Sequence, residues 1–191
     1  GNPGHPPAAG KVRAMRWRGG SIGRNLWWFA WAVLFALFQT NWPELLRLEG
    51  VLPDLVLVMV VFFAIHEGEE RAMLTGVIGG LYQDIAVGSV LGHHVLCYVL
   101  VGFLAGRLST RLVTEHAAVK AGLVFAGALM QGALFTLIQY AQQPVLGLLY
   151  PLGAVAVPSA FYTTLVTPVV LMLLDAVWGR PERDVFSREL G

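Results

Sequence analysis

Six stretches of the chain are almost free of charge, and short polar segments separate them. Residues 26–42, LWWFAWAVLFALFQTNW, carry no charge at all. The others are residues 51–66, 72–87, 91–108, 119–140 and 152–178, with the third the least hydrophobic. A helix needs roughly 20 apolar residues to cross a hydrocarbon core of about 30 Å, fewer where its flanks reach for the interface. The pattern therefore predicts six spanning helices. A basic lead before residues 26–42 resembles a secretion signal, but no A-x-A cleavage site follows and further spans do. Pro53 suits the first turn of the second helix, where its missing donor costs nothing, and Asp54 favours the positive helix start. Pro158 and Pro168 interrupt the sixth stretch and predict kinks, which neighbouring helices in a bundle can accommodate.

Composition points the same way. Of the 191 residues 56% are hydrophobic and 13% charged, with mean hydropathy +0.64. Soluble domains carry about a quarter charged residues, so a membrane is the natural solvent. The positions of the charges decide whether the weak third stretch crosses. With six spans and a cytoplasmic N-terminus, twelve of the thirteen Lys and Arg lie inside and only Arg47 outside. If residues 72–87 do not cross, six lie inside and seven outside. Basic residues collect on the cytoplasmic side, so the six-span arrangement is preferred. Residues 1–25, rich in Pro, Gly and Arg and without apolar periodicity, form a basic cytoplasmic segment expected to be disordered. Met15, opening MRWRGG, fits a native start. Residues 26–178 form the transmembrane domain, and residues 179–191 a short cytoplasmic tail. Trp27, Trp28 and Trp31, Trp42 and Trp178 fall near predicted span ends, where tryptophan prefers to sit; Trp31 also suits ordinary packing.

Close packing of small residues holds helices together in lipid. Ala72, Gly76 and Gly80 recur at four-residue steps, with Gly79 alongside; Gly102 and Gly106 follow in the fourth stretch, and Ala118, Gly122 and Ala126 in the fifth. These stripes mark internal packing or a face for a membrane partner. Asp84 lies about 20 Å from Arg71 along a helix, nearer the outer face. Gly88, Ser89 and Gly92 form a tight turn behind it, and Asp84 is placed to cap the next helix. Asp54 lies at a similar depth. Two carboxylates there can bind a proton or cation, or hold an irregular rim together by capping and hydrogen bonding. His93 and Cys97 share a helical face and with Asp84 could make a three-ligand metal site, but no further ligand supports one. His94 points about 100° away and reads as a residue of the helix start. Ser159, Thr163, Thr164 and Thr167 have no evident acid or base partner and are expected to bond back to carbonyls around the broken sixth helix. Asp175 is placed to pair with Arg180 or a basic residue of the fourth loop. No phosphate loop, nucleophile elbow or HExxH is present. No catalytic residues, cofactor or metal site, and no nucleic-acid partner, are expected.

Residues 53–112, PDLVLVMVVFFAIHEGEERAMLTGVIGGLYQDIAVGSVLGHHVLCYVLVGFLAGRLSTRL, resemble the rod shape-determining protein MreD family in the order and spacing of their features. These are Pro53 and Asp54, the glycine-rich run from Gly76 through Gly80 to Asp84, the Gly88 to Gly92 turn, His94, and the helix end Val101 to Leu108 with Gly102, Gly106 and Arg107. Val90 stands where the family often has Pro, and the basic N-terminal stretch is extra. The resemblance implies an all-α, six-helix integral protein of the bacterial inner membrane with both termini cytoplasmic. It implies a non-enzymatic scaffold of the cell-elongation machinery that builds peptidoglycan. Its partners would be the membrane-anchored MreC, the actin-like MreB, the glycosyltransferase RodA, a class B penicillin-binding transpeptidase and membrane lipids. The layout is also similar to the S component of energy-coupling factor transporters, the competing reading. There Asp54, Asp84, His93 and residues 141–153 would line an outward-facing pocket for a vitamin-like molecule.

Overall fold

The computed structural model describes residues 21–41, 51–88, 90–112, 116–142 and 149–178. Trp42, Arg47, Ser89, residues 143–148 of the 141–153 stretch, and the segments 1–20 and 179–191 lie outside the described residues. The described chain is built of six helices, one for each apolar stretch. They are α1 (Ser21–Thr40), α2 (Leu55–His66), α3 (Glu69–Val87), α4 (His93–Ser109), α5 (Ala117–Gln142) and α6 (Leu152–Trp178). The first five residues of α6, Leu152–Ala156, are π-helical, and a single turn, Leu149–Pro151, precedes them. Successive helices run antiparallel. At one end α1, α3 and α5 finish where α2, α4 and α6 begin.

Among the described residues α5 and α6, with 26 and 27 residues, are long and apolar enough to cross a membrane. α2 is different. It has 12 residues, about 18 Å at 1.5 Å per residue, well short of a hydrocarbon core of about 30 Å. Ten of those residues, Leu55 to Ala64, are buried, and α1, α3, α4, α5 and α6 all pack on it. A helix that is apolar all round belongs inside a protein, and α2 is the central post of this bundle. The start expected at Val51 is corrected accordingly. Asp54 is the N-cap of α2, so Pro53 precedes the helix and is not in its first turn.

The helices around this post have two apolar faces. In α1, Trp28, Ala32, Phe35 and Ala36 are buried while Leu34 and Phe38 face out. In α6, Thr163, Thr167, Val170 and Leu174 point inward, whereas Phe161, Leu165, Val169 and Met172 are 62–74% exposed. An outer surface of large apolar side chains of this extent is one that lipid, not water, would wet.

The tightest pairing is α3 with α4. A methyl group built on Gly80 would come 2.6 Å from Val95 Cα, and one on Gly106 would come 2.6 Å from Glu69 Cα. Gly76 lies against the Tyr98 backbone and Gly102 against that of Ala72. Four glycines thus let two backbones touch along the length of the hairpin. The stripe expected on α5 behaves otherwise: Ala118, Gly122 and Ala126 are exposed, and a methyl on Gly122 would meet nothing within 4 Å. Instead Gly127 packs on Val101 and Gly132 on Ala156. In α6, Pro158 is the second residue of the α-helical part that follows the π-helical turn, while Pro168 sits within the continuous α-helix Val157–Trp178.

Candidate functional site

Several buried polar side chains, Asp54, Asp84 and Thr163 among them, gather around the starts of α2 and α4. α3 ends at Gly88, in a left-handed conformation with φ 67°, and Gly92 with φ 106° starts α4. A side chain would strain the backbone at both positions. The resulting turn folds α4 back over Asp84, which is 1% exposed. Asp84 Oδ2 accepts from the Gly92 N–H at 2.7 Å, and Oδ1 accepts from the His94 N–H at 3.0 Å. His94 Nδ1 lies 2.8 Å from the same Oδ1. With a carboxylate as acceptor, Nδ1 carries the proton. The His94 ring rests on Phe135 of α5, with centroids 4.5 Å apart.

One helical turn further along α4, Tyr98 donates its hydroxyl to Asp54 Oδ2 at 2.7 Å. Asp54 Oδ1 accepts from the Leu57 N–H at 2.9 Å and from Gln39 Nε2 at 3.4 Å. Gln39 Oε1 in turn accepts from the Val56 N–H at 2.9 Å, and the Asp54 N–H donates to Thr163 Oγ1 at 2.9 Å. Ser159 donates to the Leu52 carbonyl at 3.1 Å. A helix that begins inside a bundle has N–H groups that water cannot reach. Here side chains of α1 and α6, together with Asp54 itself, satisfy them. The two acids are thereby joined through His94 and Tyr98, four residues apart on α4.

The opposite end has its own network. Trp28 donates to Thr75 Oγ1 at 3.0 Å, and the Arg71 guanidinium lies 4.8 Å over the Trp28 ring. Arg71 pairs with Glu67 at 2.9 Å, and Trp178 donates to Glu67 at 3.2 Å. His66 lies 3.6 Å from Asp175.

Asp84 caps the next helix as its spacing suggested, and His94 is its partner. His93 turns away toward Gln142, at 2.8 Å, and the edge of Phe135. Among the described residues His93, Cys97 and Asp84 therefore form no ligand set, nor does any other group of three such side chains. Thr164 and Thr167 bond back to the carbonyls of Ala160 and Thr163 as expected. Ser159 and Thr163 do not; they serve the segment before α2. Asp175 meets His66, since the end of α6 lies beside the end of α2. Trp28, not Trp31, is the most deeply buried of the first three tryptophans. Arg107 lies exposed in the last turn of α4, 5.7 Å over Phe103. The sequence does not single out Gln39 and Tyr98, and it points Thr163 to a different role, bonding back to a carbonyl. The one available signal was that Tyr98 shares a helical face with His94.

Beside Asp54, a cleft of about 280 Å³ opens between α5 and α6. Asp54, Ser159, Thr136, Gln131 and Gln139 supply its polar groups, with Phe135 and Val155 among the apolar ones. Neither Asp84 nor His93 lines it.

An all-helical protein with an apolar exterior, whose inner polar side chains tie one helix to the next, is a membrane protein with a structural polar core. The chain belongs to the family described as rod shape-determining protein MreD, which matches residues 22–177. Members are membrane proteins with a role in determining rod shape. No curated protein and no solved structure matches the chain.

Proposed function

We propose that this protein is a non-enzymatic scaffold of the bacterial cell-elongation machinery. It crosses the inner membrane six times, keeps both termini in the cytoplasm, and docks MreC. Through that assembly it acts with MreB, RodA and a class B penicillin-binding transpeptidase. One observation carries the reading furthest: the buried acids Asp54 and Asp84 hold helix starts together. Such a bundle is a rigid hub in lipid, built to present fixed faces to neighbours. The exposed small residues Ala118, Gly122 and Ala126 on α5 allow a partner helix to approach closely. The reading as a vitamin-like binding S component asks Asp54, Asp84, His93 and residues 141–153 to share a pocket; of these Asp54 and Pro151 line the cleft, while Asp84 and His93 do not.

The test is purification of the tagged chain from native membranes followed by mass spectrometry. MreC is expected to co-purify, with no vitamin-like molecule retained in stoichiometric amount. Gly122→Leu together with Ala126→Leu is expected to reduce MreC recovery while leaving the melting temperature unchanged. Wild-type protein recovered without MreC would overturn the scaffold reading. Undiminished recovery in the variant would remove α5 from the docking face.

A further inference from the structure

The cleft beside Asp54 is chemically one-sided. Asp54 is nine-tenths buried at its wall, and among the described residues no basic side chain lies within ion-pair distance of it. Its oxygens meet only neutral donors, from Leu57, Gln39 and Tyr98. The hydroxyl proton of Ser159 is committed to the Leu52 carbonyl, and that of Thr136 to the Gly132 carbonyl at 2.7 Å. Both hydroxyls therefore offer only lone pairs to the cleft. Gln131 and Gln139, two turns apart on α5, have amides without a partner among the described residues, and each can turn its oxygen inward.

We propose that this cleft binds a primary ammonium group. An ammonium brings three donors, no acceptor and one positive charge. It therefore complements a carboxylate, two spent hydroxyls and two adaptable amides. An anion would face the Asp54 charge, and an apolar ligand would leave the polar groups unsatisfied. The ammonium can be the head of an aminophospholipid entering from the bilayer between α5 and α6, or a free small amine. Phe135 and Val155 provide the apolar wall that an ethanolamine methylene chain, or the lipid behind it, would touch.

Native mass spectrometry and thermal melting of the detergent-purified full chain test this. Phosphatidylethanolamine is expected to remain bound and to raise the melting temperature. Phosphatidylcholine, which has the charge but no N–H, and phosphatidylglycerol, which lacks the cation, are not. Asp54→Asn keeps a side chain suited to capping α2. It is expected to lower phosphatidylethanolamine retention about tenfold, the loss of one hydrogen bond to a charged group. The double variant Gln131→Leu and Gln139→Leu breaks no bond within the bundle and is expected to lower retention as well. Competition by free ethanolamine assigns the site to small amines, and lack of competition assigns it to the lipid head. Equal retention of phosphatidylethanolamine and phosphatidylcholine overturns the proposal, as does retention that survives either change. Where Asp54→Asn fails to fold, the glutamine variant decides alone.

Discussion

A carboxylate in an apolar helix survives only where donors converge on it. Asp84 is such a case, because the turn after α3 aims the N–H groups of Gly92 and His94 at its two oxygens. Asp84→Ala is expected to destabilise the bundle by about 2–3 kcal/mol, since two buried N–H groups and an imidazole lose their acceptor. Asp84→Asn keeps one acceptor oxygen and is expected to cost about 1 kcal/mol. Thermal melting in one detergent, with the three proteins side by side, reads the order directly; equal melting of all three would show that the cap contributes nothing. This role was legible because cap and capped helix lie within ten residues. The partners of Asp54 were not. Gln39, Tyr98 and Thr163 stand 15, 44 and 109 positions away, and no local spacing relates them.

Among the elements, α3 and α4 depend on the absence of side chains at four positions. Gly80→Ala and Gly106→Ala each place a methyl on a neighbouring backbone, so each is expected to cost about 1–3 kcal/mol. Gly122→Ala adds its methyl in open space and is expected to change stability by less than about 0.5 kcal/mol. Melting curves for the three variants check this contrast. If Gly122→Ala proves as costly as the other two, α5 is packed against something that the isolated chain conceals. Small-residue spacing announced all three stripes alike. Which of them are covered depends on which helix lies opposite, and periodicity does not carry that information.

For the molecule as a whole, the proposed six-span arrangement has a test that the single cysteine simplifies. Cys97 is fully buried, so it is expected to stay silent toward maleimides. Val90→Cys, in the exposed turn between α3 and α4, is expected to react with a membrane-impermeant maleimide in intact spheroplasts. Leu112→Cys, beyond the end of α4, is expected to react only after the membrane is opened. The reverse pattern would overturn the topology.

The sequence by itself determined the number of helices, their approximate limits, the affinity for lipid and the capping role of Asp84. Each rests on composition or on contacts a few residues apart, which a one-dimensional pattern records. Only the tertiary structure decided that α2 is a buried post and that Asp54 serves four helices. It alone decided that the α5 stripe stays uncovered and that a polar cleft opens beside α6. Hydropathy reports how strongly a side chain avoids water, but protein and lipid are equally apolar alternatives to it. Which of the two meets a given residue is settled only when the other helices are in place.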